Sequence, residues 1–261
     1  MIRSVAFFNY MRHRFVKPGP LTFVNDSEIT IYNKKVITLS PGGFKGFYIL
    51  GLCKFIKQHY DLTDYIFSGA SAGAWNALML CYKGDINDFE KNVLCEEILD
   101  LNSLNKIEII VKKRILSRYT SDDFELDKLF IGTTVFEHCR LKTHIYGGFK
   151  TLNDAVDCCI ASSHIPFITG GLYYKYNGLL TFDGGFSEYP YLNNTYADIH
   201  LTPSIWKGNK SVIDKLDDPN ISINDFTTIF SNTRFDILDL IASGYDDAKL
   251  NKYILDKKFH Q

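Results

Sequence analysis

A serine stands at the centre of a Gly-Xaa-Ser-Xaa-Gly pattern in the stretch Gly69-Ala70-Ser71-Ala72-Gly73. An apolar run precedes the pattern and a helix-forming run follows it, which is the layout of a nucleophile elbow. In such an elbow the serine sits on a strained strand-to-helix turn, and only small residues fit two positions to either side. Ser71 is therefore predicted to be a catalytic nucleophile, with Gly69 and Gly73 as the elbow glycines. A chance match without catalytic role is the alternative, because so short a pattern is common.

A glycine-rich turn upstream could stabilise a negative charge. Gly42, Gly43 and Gly46 fall between a predicted strand and a predicted helix, so several backbone NH groups meet at a helix N-terminus, where partial positive charge collects. The anion could be a phosphate or the oxyanion of an acyl-transfer intermediate. The turn matches neither the phosphate-loop pattern nor the dinucleotide-binding pattern. An oxyanion turn is the favoured interpretation, and a helix-capping turn without chemistry is the alternative.

A catalytic serine also needs a base within about 3 Å of its hydroxyl. The order of residues in α/β-hydrolases would make His200 or His260 the base after an acid such as Asp183. His200 lies in a strand-like run, and His260 is the penultimate residue. Asp183 could instead accept the serine proton directly, because the glycines after it, Gly184 and Gly185, allow a tight turn close to another backbone. A plain Asp-Gly turn is the alternative.

Together these features resemble the patatin-like phospholipase family. That family has a glycine-rich oxyanion turn, a Gly-Xaa-Ser-Xaa-Gly elbow and a downstream Asp-Gly-Gly/Ala. The same order is found here in Gly42-Gly43-Phe44-Lys45-Gly46, in Gly69-Ala70-Ser71-Ala72-Gly73 and in Asp183-Gly184-Gly185. A fourth likeness is Ala161-Ser162-Ser163-His164-Ile165-Pro166-Phe167, and the resemblance covers about residues 36–191. It implies a Ser-Asp dyad of Ser71 and Asp183. It also implies an oxyanion hole at Gly42, Gly43, Phe44, Lys45 and Gly46.

The elements that must position these residues alternate between strand and helix, which predicts an α/β fold. The resemblance implies a three-layer patatin-like arrangement, with a central mostly parallel sheet flanked by helices. Strands are predicted at 35–40, 65–67, 143–146, 172–176 and 179–182, and helices at 47–59, 72–82 and 152–162. Asp122 and Glu125 are read as the capping box of a further helix that ends before Gly132.

The predicted organisation has three parts. Residues 1–35 form an N-terminal arm or leading strands, and residues 36–200 form the patatin-like catalytic domain. Within that domain, residues 86–136 are interpreted as helical and as a candidate lid-like insertion. Residues 201–261 are expected to be a C-terminal helical extension packed on the same domain.

Composition and charge restrict the partners. Lys and Arg number 29 against 30 for Asp and Glu, so no overall field attracts nucleic acid. The six cysteines show neither Cys-Xaa-Xaa-Cys pairs nor zinc-ligand spacing, which predicts reduced core thiols, a reducing compartment and no metal. No window has the roughly 18 apolar residues of a membrane-spanning helix, and the apolar part of the N-terminus is too short for a signal peptide.

The predicted function is therefore a lipid acyl hydrolase of the phospholipase A or lysophospholipase type, acting through an acyl-serine without a cofactor. Its expected partner is a phospholipid or another acyl-ester lipid. Its expected location is the cytoplasm, with peripheral membrane contact through residues 86–136 or the basic N-terminal arm. One alternative is an acyltransferase, or transacylase, that uses the same dyad with an alcohol acceptor. Another is a catalytically silent lipid-binding protein.

Overall fold

The computed structural model describes residues 21–23, 34–94, 96–99, 101, 103–192, 198–206 and 236–259. Most of the predicted arm, much of the 201–261 extension, and His260 lie outside the described residues. The described strands are β1 Leu21–Phe23, β2 Lys35–Leu39, β3 Tyr65–Ala70, β4 Leu129–Glu137, β5 Arg140–Gly147, β6 Tyr174–Tyr176, β7 Leu179–Phe182 and β8 Ile199–Leu201. The described α-helices are α1 Gly46–His59, α2 Ala72–Leu80, α3 Ile86–Val93, α4 Glu96–Leu99, α5 Leu104–Arg118, α6 Leu152–Ser162, α7 Ile237–Leu250 and α8 Lys252–Phe259.

One sheet organises the described chain. Its main order is β1-β5-β4-β3-β2-β8, with β7 paired to β4 and β6 paired to β7. Neighbours pair in parallel from β8 through β2 and β3 to β4, and between β1 and β5. The pairs β4–β5, β4–β7 and β6–β7 are antiparallel. The prediction of an α/β fold with a central, mostly parallel sheet flanked by helices is confirmed.

The central strands are apolar because both faces of the sheet are covered. All six residues of β3 are buried, as expected for parallel strands that lie between two layers. Alternate residues serve different layers, since successive side chains of a strand point to opposite faces. Ile37 and Phe67 belong to the main core with the helices, whereas Val36 and Ile66 belong to a second cluster with Phe130.

The C-terminal helix α7 is joined to the first helix α1 by a buried polar contact. The Tyr48 hydroxyl donates a hydrogen bond of 2.6 Å to Asp247 Oδ2, and both residues are fully buried. A buried donor and acceptor must find partners, so this pair fixes how the two helices lie against each other. It anchors the described part of the C-terminal region directly onto a helix that begins at the glycine turn.

The prediction of a helix from Asp122 and Glu125, ending before Gly132, is wrong. A capping box does form, but between Thr120 and Asp123, and it caps only a short 3-10 turn. The residues that follow are rich in β-branched side chains and pair as β4 between β3 and β5. The helical interpretation of residues 86–136 therefore applies to α3, α4 and α5, and its last part is a central strand.

The described cysteines are unpaired thiols. Cys53, Cys81, Cys158 and Cys159 are buried, as expected for core thiols, whereas Cys139 is exposed in the turn between β4 and β5. Among the described helices, none combines the length and the apolar character that crossing a bilayer requires.

Candidate active site

Ser71 occupies a sharp turn between β3 and α2. Its backbone angles are φ 54° and ψ −128°, a conformation that a residue with a side chain rarely adopts. Strain of this kind costs about 1–3 kcal/mol and persists only where the surroundings hold it. The Ser71 amide donates a 2.8 Å hydrogen bond to Ser162 Oγ, which helps to hold the turn. Ser71 has the geometry of a nucleophile elbow.

The two flanking glycines are required because other backbone segments touch them. A Cβ atom on Gly69 would lie 2.1 Å from the carbonyl oxygen of Gly73. A Cβ atom on Gly73 would lie 2.1 Å from the carbonyl oxygen of Leu39 at the end of β2. Backbone atoms cannot yield as a flexible side chain does, so any larger residue would push α2 away from the strands. The predicted elbow glycines therefore have a direct steric explanation.

Sheet topology brings Asp183 to the serine. Strand β3 pairs with β4 only as far as Gly132. From Thr134 onward, β7 pairs with that same edge of β4. Because β7 runs antiparallel to β4, its end returns toward Ser71. The Ser71 hydroxyl donates a 2.6 Å hydrogen bond to Asp183 Oδ2, and the Gly185 amide donates a 2.6 Å bond to Asp183 Oδ1. The carboxylate is thus held from both sides.

The turn after the acid packs directly on the sheet. A Cβ atom on Gly184 would lie 2.3 Å from the carbonyl oxygen of Gly132 and 2.8 Å from Cβ of Ala70. Only glycine lets the turn approach the ends of β3 and β4 so closely. This approach sets the distance between the carboxylate and the elbow.

Burial makes Asp183 a stronger base than an ordinary carboxylate. Desolvation raises its pKa from 3.8 to about 6, and the hydrogen bonds from Ser71 and Gly185 oppose part of that rise. The side chain is still ionised at neutral pH, and its pKa lies near that pH. Such a pKa suits a group that must accept and return a proton in each turnover.

The glycine turn faces the same cavity as Ser71. Gly43 has φ 51° and opens a short 3-10 turn that leads into α1. The Lys45 amide donates to the Gly42 carbonyl at 2.9 Å, and the Gly46 amide donates to the carbonyls of Gly43 and Phe44. The amides of Gly42 and Gly43 take no part in these bonds, and both residues line the cavity. Of the five residues predicted for the oxyanion turn, Gly42, Gly43 and Gly46 line the cavity.

The cavity next to Ser71 and Asp183 has a volume of about 310 Å³, at the lower end of the range for ligand pockets. Helices α3 and α5 form much of its wall. Its apolar lining includes Leu50, Met79, Phe89, Val93, Ile107 and Ile115. A wall of this kind favours an alkyl chain over a polar ligand.

One wall carries a polar group that sequence reasoning missed. Glu108 lines the cavity from α5, and burial raises its pKa well above the ordinary value, with Ser163 opposing that rise and the Asp183 charge adding to it. Trp75 Nε1 donates to Ser163 Oγ at 2.9 Å in the same wall. A carboxyl group with a raised pKa can remain neutral among apolar neighbours. No motif in the sequence marked Glu108.

Ser162 is a second residue whose role was missed. Its hydroxyl donates a 2.6 Å hydrogen bond to the Gly132 carbonyl and accepts the Ser71 amide, and the residue is fully buried. It therefore ties the elbow to β4, the strand that also positions Asp183. The stretch Ala161–Phe167 was the available signal, but it assigned no role to this serine.

The candidate histidine lies elsewhere. His200 is on β8, where its Nδ1 atom shares a 2.8 Å hydrogen bond with Thr38 Oγ1 and its ring meets Tyr191. Within the described residues, the hydroxyl of Ser71 bonds to Asp183 and not to a histidine. In the same part of the chain, no three His, Cys, Asp or Glu side chains are grouped as a metal site would require.

The family model for patatin-like phospholipases matches residues 37–195, more than half of the chain. The chain belongs to the patatin-like phospholipase family. Its members are hydrolases of lipid esters, and this is the class of activity that membership supports for this patatin-like protein. The resemblance in the sequence motifs is thereby confirmed.

Among solved structures, VipD from Legionella pneumophila matches with a TM-score of 0.40 and 15% sequence identity. The match covers 62% of this chain and 48% of the VipD chain, so it spans about half of that chain's length. No curated protein matches this sequence.

Replacing Ser162 by alanine is expected to loosen the elbow. The Ser162→Ala variant leaves the Ser71 amide and the Gly132 carbonyl without their buried partner, which should cost about 1–3 kcal/mol of unfolding free energy. Displacement of Ser71 should also lower ester turnover about tenfold or more. Chemical denaturation and a dispersed short-chain ester measure the two effects. Ser117→Ala, at an exposed serine bonded to a carbonyl of its own helix, is the control. Turnover by Ser162→Ala within twofold of wild type would contradict the assigned contact.

Asp183→Asn should stabilise the fold at neutral pH. The folded-state pKa is about 6 against an ordinary 3.8, so ionisation of Asp183 costs the folded state stability as pH rises through 6. The variant avoids that cost, and its advantage over wild type should grow by roughly 2 kcal/mol between pH 4 and pH 7. Denaturation curves across this pH range measure the difference. The exposed Asp239→Asn serves as control, and an equal pH trend in both variants would contradict the prediction.

Proposed function

We propose that this protein is a lipid acyl hydrolase in which Ser71 is the nucleophile and Asp183 its base. The observation that carries the proposal is the 2.6 Å hydrogen bond from Ser71 Oγ to Asp183 Oδ2 beside an apolar cavity. A hydroxyl alone is a weak nucleophile, and this contact gives its proton a place to go as the oxygen attacks. Both side chains are about 6% exposed, so bulk water barely competes for the bond.

The proposed reaction has two steps. Ser71 Oγ attacks the ester carbonyl while its proton passes to Asp183. The tetrahedral intermediate then collapses, the C–O bond to the alcohol breaks, and Asp183 returns the proton to the leaving oxygen. Water next attacks the acyl-serine with Asp183 again accepting a proton, and collapse releases the fatty acid and restores Ser71. Each proton taken by Asp183 is returned within its own step, so no cofactor is needed.

The charge that develops on the substrate oxygen would be stabilised by the glycine turn. Gly42 and Gly43 line the cavity together with Ser71 and precede the N-terminus of α1, whose partial charge would add to that of their amides. Removing one such donor in other enzymes costs about 2.7–4 kcal/mol of transition-state stabilisation. Phe44, Lys45 and Gly46 would keep the turn in place, as the bonds within it suggest.

The proposed substrate is a phospholipid or lysophospholipid. Its acyl chain would lie in the apolar cavity and its head group outside, with no nucleic acid involved. The volume of about 310 Å³ suits one chain and leaves little room for a second. The proposed location is the cytoplasm at a membrane surface, in keeping with the buried free thiols of the described fold.

Three variants test the assigned roles. Ser71→Ala and Asp183→Asn should each lower fatty acid release from phospholipid by about a thousandfold or more, because each removes one half of the proton transfer. His200→Ala should stay within about twofold of wild type, since His200 bonds to Thr38. Released acid is measured by mass spectrometry, with thermal midpoints as a check of folding. Equal rates for wild type and Ser71→Ala would refute the proposal, and a large loss in His200→Ala would point to a histidine-dependent triad.

The same assay separates hydrolysis from acyl transfer. Wild type is incubated with phospholipid in the presence and absence of a glycerol-based alcohol acceptor. A hydrolase releases free acid at the same rate in both conditions, because water is its acceptor. Acyl transfer to the alcohol, with product that forms only when the alcohol is added, would instead identify a transacylase using the same two residues.

The pH profile should show a single acid limb set by Asp183. Below the Asp183 pKa of about 6 the carboxyl is protonated and cannot accept the serine proton, so kcat/KM should fall about tenfold for each further pH unit. Glu108 also titrates in this cavity, so Glu108→Gln is the control. The limb should keep its midpoint within about half a pH unit in that variant. An acid limb with its midpoint near pH 4 would exclude Asp183 as the titrating base. Loss of the acid limb in Glu108→Gln would exclude it as well.

A further inference from the structure

An exposed apolar group marks the loop between α6 and β6. Phe167 is 78% exposed, Leu172 57% and Tyr173 51%, which gathers three large apolar side chains of the described surface within seven residues. Single exposed apolar residues are ordinary, but a cluster in one short loop indicates a contact surface.

The loop is well defined rather than frayed. The Phe167 amide donates to the Gly171 carbonyl at 3.1 Å, and the Thr169 amide donates to the Ile165 carbonyl at 3.1 Å. The Ile165 amide donates in turn to Thr169 Oγ1 at 2.8 Å. Phe167 is held at φ 63°, a left-handed conformation that is unusual for a bulky residue. Phe167 thus combines a strained backbone conformation with an exposed phenyl ring. Strain of this kind clusters at functional sites.

The loop also forms part of the wall of the active-site cavity. Ile165 and Thr169 line that cavity together with Ser71, while Phe167 between them faces outward. The Asn105 side chain, near the start of α5, donates a hydrogen bond to the Thr169 carbonyl. The exposed side chains thus stand beside the cavity and beside α5.

Helix α5 adds positive charge at this place. Lys106, Ile109 and Lys113 follow one another at helical spacing and are all exposed, with Ile109 at 59%. Neither lysine forms an ion pair with another residue of the described chain. Between residues 158 and 182 the sequence contains no Asp or Glu, so no acid of that segment opposes them. Exposed apolar side chains, together with lysines of the neighbouring helix that form no ion pair among the described residues, suit an anionic lipid surface.

We propose that the docking surface, defined as Phe167, Leu172, Tyr173, Ile109, Lys106 and Lys113, binds an anionic lipid membrane. The apolar side chains would enter the boundary between head groups and acyl chains, and the two lysines would lie among anionic head groups. Docking would bring the cavity beside the lipid, so that an acyl chain could enter without crossing bulk water. This purpose rests on the proposed function, but the binding itself requires no catalysis.

A vesicle co-sedimentation experiment tests the surface with the whole chain. The Ser71→Ala background is used throughout, so that lipid stays intact. Vesicles contain phosphatidylcholine alone or phosphatidylcholine and phosphatidylserine in equal parts. The test variant is Leu172→Ser with Tyr173→Ser. Its control is Leu250→Ser with Tyr253→Ser, which removes side chains of 56% and 57% exposure from α7 and α8. Thermal midpoints of all variants check folding.

The expected result is a partition coefficient at least about tenfold lower for the test variant and within twofold of the parent for its control. Lys106→Gln with Lys113→Gln should weaken binding about tenfold on the phosphatidylserine vesicles only. Its matched control is Lys257→Gln with Lys258→Gln, at exposed lysines of α8. The proposal is overturned if the parent does not bind vesicles, or if test and control variants lose binding equally. Either result would favour a protein, and not a lipid membrane, as the partner that binds the docking surface.

Failure of the docking surface and failure of the proposed function give different results. If the Ser71→Ala chain binds vesicles through this surface while wild type releases no fatty acid, the surface stands and the hydrolase proposal fails. If wild type hydrolyses a dispersed short-chain ester while no variant changes vesicle binding, the hydrolase proposal stands and the surface is refuted.

Discussion

The hydrogen bond between Ser71 and Asp183 joins two turns that are 112 residues apart in the chain. At 2.6 Å it leaves almost no tolerance, so the end of β3 and the end of β7 must each be fixed to within a fraction of an ångström. The fold achieves this by placing both ends on β4. Gly184 packs on the Gly132 carbonyl, and Ser162 ties that same carbonyl to the Ser71 amide.

Burial has two consequences at this site. It raises the pKa of Asp183 to about 6, a value that suits the proton-accepting role proposed for this group. It also makes the ionised carboxylate costly to the fold, an exchange of stability for function that is common at active sites. Glu108 lines the same apolar cavity, and burial raises its pKa well above the ordinary value although its hydrogen bond with Ser163 opposes the rise.

The glycine turn, the cavity wall and the exposed loop lie together around Ser71. The wall is formed largely by α3 and α5, which follow the elbow helix directly in sequence, while the loop precedes the hairpin that delivers Asp183. One side of that loop lines the cavity and its other side faces solvent. The proposed chemistry, the proposed binding of an acyl chain and the proposed contact with lipid therefore depend on the same few elements, because each element adjoins Ser71.

The sequence by itself determined what depends on local rules. Alternating strand and helix signals predicted the α/β fold. The elbow spacing and the other ordered glycine motifs singled out Ser71 and Asp183, because small residues and short turns leave local signatures. Local rules failed at residues 122–132, where the predicted helix is replaced by short 3-10 turns and by the start of the central strand β4. Tertiary structure alone set His200 beside Thr38, joined Ser162 to the elbow and turned Glu108 into the cavity. These contacts arise from strand pairing and helix packing between distant segments. Such contacts leave no pattern of residue spacing in the sequence.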